Sequence, residues 1–98
     1  MKIIELTPKA REDLAAIWDY SFRRYGVMKA DEYIGRLSAV FDVLATHAVG
    51  TPRPELGEAI FSLPVKQHMI YFVPSQANIT IIRILSHAQD SVRHVNWS

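Results

Sequence analysis

The chain has 98 residues, 49% of them hydrophobic and 21% charged, with a formal net charge of +1 and no cysteine. One domain of that size buries roughly two-thirds of the surface that its unfolded chain exposes. The composition argues against disorder, a disulfide framework or a thiolate zinc site, and the near-neutral charge disfavours a protein working mainly through phosphate contacts.

Lys2-Ile3-Ile4-Glu5-Leu6 reads as a short first strand. No stretch is apolar and long enough for a signal peptide or a membrane span, so a cytoplasmic protein is expected. Thr7 then offers an N-cap hydroxyl and Pro8 suits the first helical position, where a missing N–H costs nothing. Ala10, Leu14, Ile17, Trp18, Ser21, Phe22 and Tyr25 recur three or four apart, which predicts a helix of about 16 to 18 residues with one apolar face. Gly26 ends it. A second stripe of Ala30, Tyr33, Ile34, Leu37, Val40, Phe41 and Leu44 predicts another helix, with Asp31, Glu32, Arg36 and Asp42 toward water. So short a connection makes the two helices an antiparallel pair.

Residues 46–57 hold two prolines and two glycines and break every period, so they read as a surface loop. Glu58 to Leu63 reads as a strand. Two apolar runs follow, His68-Met69-Ile70-Tyr71-Phe72-Val73 and Ile79-Thr80-Ile81-Ile82-Arg83-Ile84-Leu85, joined by the turn-like Pro74-Ser75-Gln76-Ala77-Asn78. They make a β-hairpin. Strict alternation puts His68, Ile70 and Phe72 against Met69, Tyr71 and Val73 in the first run. In the second it puts Thr80, Ile82 and Ile84 against Ile79, Ile81, Arg83 and Leu85. The expected fold is a single α+β domain over residues 1–98. It has an N-terminal strand and an antiparallel helical hairpin packed on a small, mainly antiparallel four-stranded sheet.

Both faces of that hairpin are apolar, and two helices cover only one of them. The other face would leave a patch seldom tolerated on a lone monomer. The tail from Gln89 to Ser98 is expected to cover part of it, and a partner, or a second copy of the chain, the rest.

Motif logic finds no active site. The four histidines lack metal-ligand spacing, so no metal is expected. There is no phosphate-binding glycine loop and no nucleophile elbow. One polar constellation remains: Arg83 near a strand end, His87 just beyond it, and Arg93 and His94 in the tail. Two arginines and two histidines can stabilise a phosphoryl transition state and move protons. The competing reading pairs Arg83 with a carboxylate such as Asp90 and leaves the others solvated.

The order of elements and the wording of the connections resemble the RelE/ParE superfamily of bacterial toxins, and within it the ParE branch. The resemblance is carried by Leu6-Thr7-Pro8-Lys9-Ala10-Arg11-Glu12-Asp13-Leu14, Ile17-Trp18-Asp19-Tyr20, and Pro52-Arg53-Pro54-Glu55-Leu56-Gly57. It continues in Ser62-Leu63-Pro64-Val65, His68-Met69-Ile70-Tyr71-Phe72 and Ile82-Arg83-Ile84-Leu85-Ser86-His87-Ala88-Gln89-Asp90, spanning nearly the whole chain. It implies the toxin of a type II toxin–antitoxin system, without a cofactor, that inhibits DNA gyrase and is neutralised by a ParD-like antitoxin. No direct specific nucleic-acid binding and no membrane partner are implied.

RelE-like members resemble one another in an arginine on the middle strand, another after the last strand, and often a tyrosine in the tail. Here the middle strand has His68 and Met69, and no tyrosine follows Tyr71. A ribosome-dependent mRNA endoribonuclease is therefore the second reading, for which Arg83, His87, Arg93 and His94 would carry the chemistry. An inactive, antitoxin-binding relative is a third. Under the resemblance, antitoxin contacts are expected at Trp18, Phe22, Tyr33, Leu37, Phe72, Ile79, Ile81 and Arg83. Target contacts are expected at His87, Asp90, Arg93, His94 and Trp97.

Overall fold

A computed structural model gives the fold over residues 1–87. The elements run β1 (Ile3–Leu6), α1 (Pro8–Tyr25), α2 (Val27–Thr46), β2 (Thr51–Pro52), β3 (Phe61–Val65), β4 (His68–Pro74) and β5 (Asn78–Ser86). They build a five-stranded sheet of order β1-β5-β4-β3-β2. β1 runs parallel to β5 and every other pairing is antiparallel. The fifth strand is the short β2, a two-residue rung within the segment expected to be a loop.

The start of α1 is held as its sequence requires. Thr7 has extended backbone, and its hydroxyl accepts the Ala10 N–H at 3.1 Å while Pro8 opens the helix. The same hydroxyl donates to the Ile82 carbonyl at 3.0 Å, and the Thr7 N–H reaches the Ile81 carbonyl at 3.0 Å. One residue thus caps a helix and fastens it to β5. Gly26 alone joins the helices; its φ of 95° is a conformation that a side chain resists, and its N–H closes α1 on the Phe22 carbonyl. The chain therefore reverses within one residue.

The main core lies between the helices and one sheet face. Ala10, Ile17, Leu37, Phe41 and Leu44 meet Ile70, Phe72, Ile79, Ile81 and Ile84 there. Fully burying each large side chain of that set is worth about 1.5–3 kcal/mol. Gly50 crosses over this core so closely that a Cβ would lie 2.7 Å from the Phe72 ring.

The other sheet face is not open. Tyr71, Ile82 and Leu85 are buried there with Leu56 and Ile60, and Met69 and Val73 pack at the margin. Leu56 and Ile60 come from the segment between β2 and β3 and together plug the second face: Leu56 from the stretch expected to be a surface loop, Ile60 from the expected strand Glu58 to Leu63, which in the fold begins only at Phe61. Arg53 braces the plug. Its guanidinium donates to Ser62 Oγ at 3.2 Å, pairs with Glu55 at 2.7 Å and lies 5.7 Å from the Tyr71 ring centre.

Alternation holds in β4 but slips in β5. The ladder pairs Tyr71 with Arg83 and Phe72 with Ile81, leaving one extra residue, Ile82, as a bulge. A single inserted residue reverses the parity beyond it. Ile84 consequently joins Ile79 and Ile81 beneath the helices, while Leu85 joins Ile82 opposite.

Candidate functional site

Arg83, one of the four residues of the catalytic reading, is already engaged. Its Nε and Nη2 donate to the Asp13 carboxylate at 2.8 and 3.0 Å, and the Ile84 N–H donates to the same carboxylate at 2.9 Å. Both side chains are about 85% shielded, with 14% and 15% exposure. Donating to the Asp13 carboxylate raises the Arg83 pKa above its ordinary value. A guanidinium held by two bonds to a largely shielded carboxylate is a tie between α1 and β5, not a free cation for a phosphate. The carboxylate is Asp13; Asp90, the example the sequence offered, lies outside the described residues.

His87 lies just past β5, where its N–H donates to the Gln67 carbonyl at 3.0 Å and its Nε2 meets the Lys66 carbonyl at 3.0 Å. A carbonyl only accepts, so this Nε2 carries a proton. His87 thus pins the two-residue turn between β3 and β4. That turn brings His68 against Tyr33, whose hydroxyl lies 2.6 Å from His68 Nδ1 and 3.3 Å from the Val65 carbonyl. Burial is the main cause that lowers the His68 pKa; the charge of His87 adds to it and Asp13 opposes it. Burial likewise raises the Tyr33 pKa. Both groups are neutral near pH 7.

The apolar surface is concentrated at the tip of the helical hairpin. Five of the nine large hydrophobic residues exposed among the described residues fall between positions 20 and 28: Tyr20, Phe22, Tyr25, Val27 and Met28, the last 82% exposed. Single exposed hydrophobics are ordinary, but a contiguous set marks an interaction surface. The set is also ordered. Trp18 stacks on Phe22 with ring centres 5.1 Å apart, and its indole N–H donates to Asp31 of α2 at 2.9 Å. Rigid aromatic side chains lose little entropy on binding, which suits them to anchor a protein partner. Beside this tip, a recess of about 390 Å³ opens between the two helices and the β3–β4 turn.

The expected partner residues separate accordingly. Trp18 and Phe22 lie on this surface and Tyr33 lines the recess. Leu37, Phe72, Ile79 and Ile81 are 0–3% exposed in the core, so no partner reaches them without opening the fold. Their apolar spacing reports packing, not docking. Arg83 is taken by Asp13. Asp90, Arg93, His94 and Trp97 lie outside the described residues, as does the rest of the tail. Asp13, Tyr20, Met28 and Lys66 were not singled out by the sequence. Tyr20 and Met28, which fall outside either helical stripe, carried a local signal. Among the described residues, no group of three or more His, Cys, Asp or Glu is placed to hold a metal ion, and no helix is long and apolar enough to cross a membrane.

Comparison with known proteins places these features in context. Residues 4–91 match the family described as the ParE toxin of the type II toxin–antitoxin system parDE. The chain is 29% identical over 96 residues to Toxin ParE1 of Caulobacter vibrioides, covering 97% of this chain and 99% of that protein. It is 27% identical over 92 residues to Toxin ParE1 of Mycobacterium tuberculosis, covering 92% and 94%. Among solved structures, the chromosomal ParDE toxin–antitoxin system from P. aeruginosa superposes with a TM-score of 0.77 at 23% identity, covering 88% of this chain and 96% of that one. The YoeB-YefM complex from Staphylococcus aureus gives 0.58 at 15% identity, over 89% and 98%. At those identities the structural matches speak for the fold.

Proposed function

This chain belongs to the ParE family of type II toxin–antitoxin toxins, and from that premise we propose that it inhibits DNA gyrase by binding it and is silenced by a ParD-like antitoxin. The observation that carries a binding mode of action is the ordered aromatic surface of the hairpin tip, where Trp18 and Phe22 stack beside exposed Tyr25 and Met28. A surface of this kind gives a protein partner apolar area to bury and an indole already fixed by Asp31. The antitoxin takes this surface, and the complex is inert while it does. Solved relatives of the same fold include a ParDE system and a YoeB-YefM complex, which supports a toxin that is stored with its antitoxin.

Catalysis fits the described residues poorly. Cleaving a phosphodiester calls for a cation at the scissile phosphate and a group to protonate the leaving oxygen. Arg83 is spent on Asp13, and His87 holds a backbone turn.

Controlled induction in sensitive cells tests the proposal. Growth should stop, DNA damage should appear, and co-expression of the neighbouring antitoxin gene should restore growth. Codon-phased breaks in transcripts mapped by primer extension would assign the chain to ribosome-dependent nucleases. Harmless expression of folded protein would make it an inactive relative.

A further inference from the structure

The recess beside the hairpin tip has features that docking of a protein partner does not require. Its floor is Ile17 and its walls include the rings of Tyr20 and Tyr25, 60% and 61% exposed. Lys29 and Arg36 of α2 and Lys66 of the β3–β4 turn line it, against the single carboxylate of Glu32. Glu32 is shared with Lys29 at 3.9 Å, and neither Arg36 nor Lys66 has an ion-pair partner among the described residues. The local balance is two positive charges. A volume near 390 Å³ is in the range of pockets that enclose small ligands, about 300–1,000 Å³.

Lys66 adds an independent sign. It sits at φ 55° in a two-residue hairpin turn, a backbone conformation for which glycine is the usual residue. A lysine there is strained, and strain retained at the rim of a cleft points to a role for the side chain. The turn is held in this shape from both sides: His87 binds the carbonyls of Lys66 and Gln67, and Tyr33 reaches that of Val65.

We propose that this recess binds a nucleoside monophosphate, its base against Tyr20 and Tyr25 and its phosphate between Arg36 and Lys66. A phosphate monoester carries a charge of about −1.5 to −2 near neutral pH, which matches the surplus at the recess. The planar fork of Arg36 suits two phosphate oxygens. Tyrosine rings stack on any base, so little selectivity among bases is expected. The Tyr33–His68 pair presents neutral hydrogen-bonding groups at the same wall, suited to a ribose. This site borders the Trp18–Phe22 surface and shares Tyr25 with it, but its test needs neither gyrase nor an antitoxin.

Titrating the ¹⁵N-labelled full chain with adenosine and guanosine monophosphates, inorganic phosphate, adenosine and a glutamate-rich peptide provides that test. The monophosphates should shift the amides of Tyr20, Tyr25 and residues 66–68 with a dissociation constant of about 1 mM or tighter. Phosphate or adenosine alone should bind at least roughly tenfold more weakly. Arg36→Gln, on an exposed helix face, should weaken the nucleotide roughly tenfold. Lys66→Gly should do the same while raising the melting temperature, because it relieves the strained φ. No shifts, shifts located elsewhere, or unchanged affinity in both variants would overturn the proposal. Tighter binding of the acidic peptide at the same amides would also overturn it, and would reassign the recess to a protein partner.

Discussion

Replacing Asp13 by Asn separates a structural Arg83 from an available one. The substitution keeps the shape of the side chain but removes the charge that faces a guanidinium with only 14% of its side chain exposed. It also leaves one carbonyl oxygen to serve three donors: Arg83 Nε, Arg83 Nη2 and the Ile84 N–H. Removing one partner of an ion pair shielded to this degree costs about 3 kcal/mol, the low end for buried pairs, because the remaining charge stays largely desolvated and unpaired. For a domain of this size each kcal/mol lowers the melting temperature by about 4–8 °C, so a fall of roughly 12 °C or more is expected. Thermal unfolding followed by circular dichroism measures that fall, and urea unfolding the free energy. The double replacement Asp13→Leu with Arg83→Met should recover most of the loss, since apolar residues of similar volume replace a buried pair at little net cost. A single Asp13→Asn variant within about 0.5 kcal/mol of the parent would refute the reasoning, because exposed pairs behave in that way. Arg83 would then be a candidate for chemistry again.

Three further outcomes follow from the geometry. Leu56→Ala should destabilise the fold by about 2–4 kcal/mol in the same unfolding assay, because Leu56 plugs the second sheet face and is not a solvated loop residue. Met28→Asp, at a residue 82% exposed, should change stability by no more than about 0.5 kcal/mol. It should nonetheless weaken antitoxin binding roughly tenfold or more, read by calorimetry. His68 should confer a pH dependence. Its folded pKa lies below the ordinary 6.5, mainly through burial, so the unfolded state takes up the proton first. Stability is therefore complete above about pH 6.5 and is lost as the pH falls below it toward the lowered folded value. His68→Asn should flatten unfolding curves measured across that window.

The helices were legible because their signals are local. Thr7-Pro8 and Gly26 mark the ends of α1, and the apolar spacing marks its face. The β5 bulge was hidden by composition: residues 79–85 are so uniformly apolar that either parity satisfies the pattern, and only the ladder to β4 shows where Ile82 interrupts it. The plug was hidden for other reasons: Leu56 stands among prolines and glycines with no period to announce it, and Ile60 read as part of a strand that in the fold begins only at Phe61. The Asp13–Arg83 tie spans 70 positions, which no local pattern reports. Spacing also assigned Tyr25 to the buried stripe. In the fold it is 61% exposed, because an apolar stripe says where packing is possible and not where the covering layer ends. The exposed tip is thus a property of the assembled hairpin, although its residues were all in view.

A gyrase supercoiling assay with the purified, folded chain reads the proposed inhibition itself. Loss of supercoiling with accumulation of cleaved DNA, reversed by adding the antitoxin, is the predicted result. Normal supercoiling at a large molar excess of the chain would contradict it.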